Sequence, residues 1–332
     1  MRQLLLQGDK FMKKGVILEG RAVNPGDISW EPLSSLCDMT IYDNTIDDEK
    51  WERIAGCEIV MTNKVPITRE DFERFPEIRY VGVLATGYNV VDIEAAREHG
   101  VVVTNIPAYS TDSVVQMTWA FILNLASRVE MHDLSVKRGD WTKSDTFCYW
   151  LDSPIELFGK SLGIYGFGSI GRGVAKVGQA LGMKILVYTK HPEKYANYAC
   201  DSLAFVSEEE LLTCSDVITY HCPLTPETTG IVNKANISKM KDGVILINVS
   251  RGPVVNEQDL FDALEFGKVA GAGVDVISVE PMKEDNPLLH AKNCIITPHI
   301  AWASKEARLR LVDIAAENLR AFLAGQPVNV ES

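Results

Sequence analysis

Short apolar runs, bounded by turn residues, alternate with longer amphipathic segments along the whole chain. The apolar runs have the length of buried strands, and helical patterns fall between them. In the first hundred residues the predicted strands are Gly15–Glu19, Met39–Tyr42, Glu58–Thr62, Tyr80–Ala85 and Val101–Thr104. From Ser161 onwards they are Leu162–Tyr165, Lys184–Tyr188, Val217–Tyr220, Val244–Val249, Val269–Val274 and Cys294–Thr297. This repetition predicts an α/β fold of parallel sheets covered by helices.

Two segments have the pattern of long helices, Asp112–Arg128 and Ser304–Ala324. The first is followed by a stretch without clear periodicity, about 132–160, which we interpret as irregular. It carries four aromatic residues: Trp141, Phe147, Tyr149 and Trp150. So many aromatic side chains need a surface to pack on. They either cover the core of their own subunit or form a subunit interface, and we favour the interface.

Length and charge narrow the classes of function. A chain of 332 residues is long for one domain and favours about two. Its net charge of -12 repels phosphate backbones, and no basic stripe is present, so we expect no nucleic-acid partner. The longest apolar run, Val114–Leu125, contains Gln116, Thr118 and Asn124 and is too short to span a bilayer, so we expect no membrane association.

Cysteine usage and the first residues bear on where the protein works. Seven cysteines without a CxxC pair indicate reduced thiols in a cytoplasmic protein rather than a disulfide framework. The apolar run in residues 1–11 is too short for a signal peptide. We expect Met12 to be the natural start and residues 1–11 to be an extension, which loss of folding on their deletion would contradict.

A glycine-rich turn predicts a dinucleotide site. It follows the predicted strand Leu162–Tyr165 and opens a helix at Ile170–Leu181, which is the context that the GxGxxG fingerprint requires. Glycines permit the tight turn and the close approach of a pyrophosphate, and the helix N-terminus supplies amide donors. The predicted binding residues are Gly166, Phe167, Gly168, Ser169, Ile170 and Gly171.

The next strand end predicts how the ribose is recognised. A carboxylate is expected there when the cofactor is NAD, because it binds both ribose hydroxyls and repels a 2′-phosphate. The sequence instead has Tyr188-Thr189-Lys190-His191, without an acid. Thr189 and Lys190 therefore favour NADP(H), or dual use of NAD(H) and NADP(H).

Three chemically suited residues follow consecutive strand ends, where an open parallel sheet binds its ligands. Arg251 is suited to holding a substrate carboxylate, and His299 is suited to donating a proton near neutral pH. Glu280 would orient the ring of His299 and favour its protonated form. Asp275 could fix the carboxamide of the cofactor. The remaining predicted cofactor contacts are His221, Cys222, Pro223, Val249 and Ser250, and no metal-ligand spacing is present.

These motifs together resemble the D-isomer-specific 2-hydroxyacid dehydrogenase family. The resemblance covers Lys14 to Val330 and rests on GFGSIG, INVSRGPVVNE, DVISVEP and TPHIAW. Within the family, NPGD, LATGYNVVD and YSTDSV look most like the glycerate dehydrogenase, or hydroxypyruvate reductase, type. The departure is at Thr189–Lys190, where NAD-preferring members carry an acid.

The resemblance implies a fold, an activity and an assembly. A Rossmann nucleotide-binding domain, 108–299, would be inserted into a flavodoxin-like substrate domain made of 1–107 and 300–332. Both domains would be doubly wound parallel sheets. The activity would be NAD(P)-dependent reduction of a small 2-oxo acid to the D-2-hydroxy acid, with the roles given above for Arg251, Glu280 and His299. Backbone amides at Ala85, Thr86 and Gly87 would bind the substrate carboxylate. A homodimer through the nucleotide-binding domain is implied as well.

Several alternatives stay open. Hydroxypyruvate is the predicted substrate, with glyoxylate possible, but phosphoglycerate and D-lactate dehydrogenases share the same three residues. A non-catalytic NAD(H)-sensing protein, similar to the corepressors related to this family, is the alternative from another class, since fold does not fix function. Turnover with any 2-oxo acid separates an enzyme from a binding protein.

Overall fold

The computed structural model describes residues 12–332, which form two compact units. Unit 1 comprises the residues up to Ser110 together with Ala303–Ser332, and unit 2 is Thr111–Trp302. The domain limits predicted from the sequence, after 107 and after 299, fall three residues before these. The expectation about residues 1–11 lies outside the described residues.

Twelve strands and twelve α-helices make up the described part of the chain. The strands are β1 Lys14–Ile17, β2 Asp38–Ile41, β3 Ile59–Thr62, β4 Tyr80–Val83, β5 Val102–Thr104, β6 Ser161–Tyr165, β7 Lys184–Tyr188, β8 Leu203–Phe205, β9 Val217–Tyr220, β10 Val244–Asn248, β11 Val269–Val274 and β12 Cys294–Ile296. The helices are α1 Gly20–Val23, α2 Glu31–Ser34, α3 Asp47–Ile54, α4 Arg69–Arg74, α5 Ile93–Glu98, α6 Thr111–Ser127, α7 Val129–Lys137, α8 Ser169–Ala180, α9 Glu208–Cys214, α10 Lys234–Lys239, α11 Glu257–Glu265 and α12 Lys305–Leu323.

Unit 1 is a five-stranded parallel sheet in the order β2-β1-β3-β4-β5. This is the flavodoxin-like order, in which the carboxyl ends of the strands form one binding edge. Every residue of β3 and β4 is buried, because helices cover both faces of the sheet. The short apolar runs of the sequence therefore become central strands.

Unit 2 is a seven-stranded parallel sheet in the order β12-β11-β10-β9-β6-β7-β8. Strand β6 lies at the centre, and the chain winds first to β7 and β8 and then back to β9 on the other side. This is the Rossmann order with one further strand, and its switch point lies between β6 and β9. The predicted α/β class, with two doubly wound sheets, is confirmed.

Two elements of unit 2 differ from the sequence prediction. Strand β8 was not predicted, because it has only three residues and its middle side chain is exposed. The segment Val129–Lys137 was predicted to be largely irregular, which is wrong: it is helix α7. Its apolar side chains Val129, Leu134 and Val136 are exposed rather than packed on a core, so the amphipathic pattern is weak. None of the helices in residues 12–332 is long and apolar enough to cross a membrane.

Candidate active site

The glycine turn between β6 and α8 is shaped to accept a dinucleotide. Gly166 has a φ of +100°, and a Cβ there would lie 2.8 Å from the carbonyl oxygen of His221. A Cβ on Gly171 would lie 2.2 Å from the Gly166 carbonyl oxygen, so the helix packs directly on the turn. Gly168, the N-cap of α8, has open space where its Cβ would be. A bound pyrophosphate would fit this cradle beside the helix N-terminus.

The side chain of Phe167 belongs to the core and not to the open side of the turn. It is 2% exposed and packs edge-on against the rings of Tyr195, Tyr198 and Phe205. Ile170 packs against the same core. For Phe167, only the backbone is left for the predicted cofactor contact, whereas the side chain of Ile170 is half-buried.

The end of β7 lies beside the glycine turn, since the Gly166 amide donates to the Tyr188 carbonyl at 2.9 Å. The ammonium of Lys190 faces a carboxylate that the sequence motif did not reveal. Its Nζ lies 3.6 Å from Oε2 of Glu227, which comes from the loop after β9. The acid that is absent from the end of β7 in the sequence is therefore present nearby in space.

The loop after β9 presents a neutral histidine and a buried thiol. Nε2 of His221 lies 2.9 Å from the Thr219 hydroxyl, while its Nδ1 is buried and has no hydrogen-bond partner in the described residues. Burial lowers the pKa of His221 to about 3 and raises that of the Cys222 thiol to about 11. Both groups are thus uncharged near neutral pH and suit an apolar ring such as nicotinamide or adenine. Pro223 follows them and is exposed.

Arg251 extends from a loop that Asn248 organises. The Asn248 side chain accepts hydrogen bonds from the amide and hydroxyl of Ser250 and donates one to the Arg251 carbonyl at 2.9 Å. Val249 is buried beneath this loop. The guanidinium of Arg251 is exposed and donates to the Ser250 carbonyl at 2.7 Å. It forms no ion pair within residues 12–332, so it is free to bind an anion.

Glu280 and His299 are in direct contact. Nδ1 of His299 lies 2.7 Å from Oε2 of Glu280. The amide of Ile277 donates to the other oxygen of Glu280 at 3.3 Å, which steadies the carboxylate. His299 has a φ of +55° and donates its backbone amide to the Asp275 carbonyl at 2.8 Å. Its Nε2 has no hydrogen-bond partner in the described chain and can form a hydrogen bond with a ligand.

Asp275 holds the segment that carries His299. It is 1% exposed, and its carboxylate accepts hydrogen bonds from the Thr297 hydroxyl at 2.5 Å and from the amides of Ile300 and Ala301, both at 2.9 Å. Burial raises its pKa, and these hydrogen bonds oppose the shift. Sequence reasoning missed this role, and a contact of Asp275 with a cofactor carboxamide stays a prediction.

The strand register brings the predicted groups of unit 2 to one edge. Asn248 pairs with Val274 and Val274 with Ile296, so the ends of β10, β11 and β12 lie side by side. Arg251, Glu280 and His299 all follow these ends. An anion-binding guanidinium and a carboxylate-supported imidazole at one edge suit proton transfer to an anionic carbonyl compound.

Unit 1 offers a separate anion-binding feature at its own sheet edge. The backbone amides of Ala85, Thr86 and Gly87 donate no hydrogen bond to the described chain. The loop that carries them is held by Asn63, which donates to the Leu84 carbonyl at 2.7 Å, and by Asn105, which donates to the Thr86 carbonyl at 2.9 Å. Sequence reasoning missed both asparagines. Free amides on a fixed loop are suited to a carboxylate.

The comparisons with known proteins agree with this geometry. The model of the D-isomer specific 2-hydroxyacid dehydrogenase NAD-binding domain matches residues 119–301. The chain belongs to the D-isomer-specific 2-hydroxyacid dehydrogenases. The enzyme class and the NAD-binding domain predicted from the sequence motifs are thereby confirmed.

Individual members of this dehydrogenase family align over nearly the whole chain. A hydroxypyruvate reductase from Blautia hydrogenotrophica is 54% identical over 96% of this chain and 99% of its own. A glycerate dehydrogenase from Methylorubrum extorquens is 43% identical over 87% of this chain and 90% of its own. The crystal structure of a D-lactate dehydrogenase from Aquifex aeolicus, complexed with NAD and lactic acid, has a TM-score of 0.79 and 29% identity, covering 96% of this chain and 100% of that one.

Proposed function

We propose that this dehydrogenase reduces hydroxypyruvate to D-glycerate with NAD(P)H and catalyses the reverse reaction. The observation that carries the proposal is the 2.7 Å contact between His299 and Glu280 at the strand ends next to Arg251, in the unit that holds the glycine turn. The names of the hydroxypyruvate reductase and glycerate dehydrogenase relatives support the substrate.

The residues of unit 2 supply the proton and the binding of the anion. A bound reduced nicotinamide supplies the hydride for the carbonyl carbon. His299 donates a proton from Nε2 to the carbonyl oxygen and so completes the hydroxyl group. The Glu280 carboxylate stabilises the positive charge on the ring before this transfer and fixes its orientation through Nδ1. Arg251 binds the substrate carboxylate and polarises the adjacent carbonyl.

Further ligand contacts are proposed at the two sheet edges. In unit 1, the free amides at 85–87 bind a carboxylate oxygen. In unit 2, the cradle at 166–171 holds the pyrophosphate. The remaining proposed cofactor contacts are Thr189, Lys190, His221, Cys222, Pro223, Val249, Ser250 and Asp275.

The test is loss of the absorbance of the reduced cofactor on addition of a 2-oxo acid. Hydroxypyruvate should be turned over with a kcat/KM at least about tenfold above those for pyruvate, glyoxylate and phosphohydroxypyruvate. A higher value for one of the other acids would assign the enzyme to that substrate. Binding of the cofactor without turnover of any of the four acids would favour the non-catalytic NAD(H)-sensing protein.

We also propose that the enzyme is a homodimer through unit 2. Several of the large apolar side chains between 123 and 158 are strongly exposed, including Phe147 at 88%, Phe158 at 74% and Trp150 at 65%. They do not cover the core of their own unit, which was the alternative considered for the aromatic stretch. An exposed apolar surface of this kind is typical of a subunit interface.

The thiols support a cytoplasmic location as part of the proposal. All seven cysteines are free, and Cys37, Cys57 and Cys222 are buried. A protein with this many unpaired thiols is suited to a reducing compartment. Retention of full activity in the presence of a strong thiol reductant is the expected result, and loss of activity there would contradict it.

A further inference from the structure

The contact between Lys190 and Glu227 bears on which dinucleotide the enzyme uses. The two residues lie in the loops that follow the strands on either side of β6, since β7 and β9 are its neighbours in the sheet. Lys190 follows β7, whose end is tied to the glycine turn through Tyr188, and Glu227 follows β9, whose end packs on Gly166. The pair therefore bridges the carboxyl end of β6, beside the turn where the adenosine half of a dinucleotide would lie.

The side chain of Glu227 is exposed, and a hydrogen bond from its own loop orients the carboxylate. The Thr225 hydroxyl donates to its Oε2 at 2.6 Å, the same oxygen that faces Lys190. The hydroxyl of the buried Thr228 closes the loop by donating to the Pro223 carbonyl at 2.7 Å. The Thr225 hydrogen bond, aided by the charge of Lys190, lowers the pKa of Glu227 below its usual value. An exposed carboxylate on a hydrogen-bonded loop thus faces an exposed lysine.

These positions invert the prediction made from Thr189–Lys190 alone. A lysine without a partner would attract a 2′-phosphate, but Lys190 already faces the carboxylate of Glu227. A phosphate bound to Lys190 would lie close to that carboxylate and be repelled by it. The hydroxyls of an unphosphorylated ribose could instead donate hydrogen bonds to it.

We propose that Glu227 is the ribose-reading acid of this enzyme, supplied by the loop after β9 in place of the usual residue at the end of β7, and that it makes the enzyme prefer NAD(H) to NADP(H). Lys190 then holds the carboxylate and does not bind a phosphate. This inference rests on the proposed function only in requiring a dinucleotide at the glycine turn.

The test is direct binding of NADH and NADPH, measured by fluorescence titration or calorimetry at fixed, low ionic strength. The wild-type enzyme should bind NADH at least about fivefold more tightly than NADPH. Glu227→Gln should strengthen NADPH binding about tenfold, because it removes a negative charge beside the 2′-phosphate while keeping the side-chain length. NADH binding should weaken by about threefold or less, through the poorer ribose contact.

Two further variants distinguish a specific effect of the Lys190–Glu227 pair from a general effect of the changed net charge. Lys190→Gln in the Glu227→Gln background should abolish the gain in NADPH affinity, because the freed lysine is what attracts the phosphate. Glu265→Gln removes another lysine-paired carboxylate, 2.9 Å from Lys292 and on helix α11, and should change neither affinity. Adenosine 2′,5′-bisphosphate and 5′-AMP serve as probes of the adenosine half with and without the 2′-phosphate. The ratio of their affinities should change in each variant as the ratio for NADPH and NADH does.

The outcomes distinguish this inference from the proposed function. An equal change in both affinities on Glu227→Gln, or none, would overturn the role of Glu227, as would a wild-type preference for NADPH. If the folded wild-type protein bound neither dinucleotide, the proposed function would fail as well. Turnover of hydroxypyruvate with an unaltered cofactor ratio in Glu227→Gln would preserve the proposed function and remove only the inference.

Discussion

At the scale of single residues, the chemistry depends on the free nitrogen of His299. Replacement by asparagine keeps a polar side chain but removes the proton donor, so His299→Asn should lower kcat by about 10²-fold or more. The dissociation constant for NADH should stay within about twofold, because no cofactor contact is assigned to the ring. His290→Asn, on an exposed histidine of the same unit, is the control and should change neither kcat nor the dissociation constant for NADH. Wild-type turnover by His299→Asn would remove this residue from its role.

The partly buried ring of His221, with its inaccessible Nδ1, predicts a pH dependence of stability rather than of activity. Its pKa is lowered to about 3 in the folded protein, against 6.5 for an ordinary histidine. The unfolded chain therefore binds a proton at pH values where the folded protein does not. As a result, the free energy of unfolding falls as the pH decreases from the unfolded-state pKa towards the folded-state pKa. At pH values above the ordinary histidine pKa of 6.5, this residue causes no loss of stability.

His221→Gln should accordingly make the loss of stability in acid shallower. The difference in slope cannot exceed one proton, about 1.4 kcal/mol per pH unit. Denaturant titrations at a series of pH values between neutrality and about pH 4 measure it. Equal slopes for the variant and the wild type would show that this histidine is protonated in the folded state.

At the scale of elements, the segment that carries His299 is set by the hydrogen bonds to Asp275. Asp275→Asn places an NH2 group against a donor and should lower the free energy of unfolding by about 1–3 kcal/mol. Because the segment is then free to shift, kcat should fall about tenfold or more while NADH still binds. The affinity for NADH and kcat are measured on the same preparation.

A matched substitution separates positioning from stability. Asp216 also accepts a backbone hydrogen bond in unit 2, from the Ser161 amide at 2.8 Å, and it faces Lys241 at 3.1 Å. It lies at the amino end of β6, away from the site. Asp216→Asn should lower stability to a similar degree and leave kcat unchanged. Equal loss of kcat in both variants would show that Asp275 acts only through general stability.

Elements with a strong apolar pattern were predictable from the sequence, and the orientation of side chains was not. Strands β7, β9 and β11 lie where the sequence predicts them, because buried apolar runs bounded by turn residues define them. The candidate residues at their ends could be found by the rule that ligands bind there. The sequence could not show that Asp275 faces its own chain, because this depends on contacts made far along it. The same holds for the approach of Glu227 to Lys190.

At the scale of the whole molecule, the net charge of -12 opposes self-association, and the exposed apolar stretch of unit 2 favours it. Like charge keeps the molecules apart, so association requires an apolar surface large enough to overcome the repulsion. The exposed side chains between 123 and 158 supply such a surface in one region. Higher salt should therefore strengthen the dimer, since it screens the repulsion and leaves apolar burial unaffected.

Light scattering should give twice the mass of one chain at micromolar concentration, and Phe147→Asp should shift the mass towards that of the single chain. A charge buried in an apolar interface costs several kcal/mol, enough to dissociate a moderately stable dimer. Phe266→Asp is the control, because Phe266 is 86% exposed, nearly as much as Phe147 at 88%, but lies at the end of α11, outside the 123–158 stretch. It should leave the dimer intact. A monomeric wild type, or dissociation by both substitutions alike, would place the interface elsewhere.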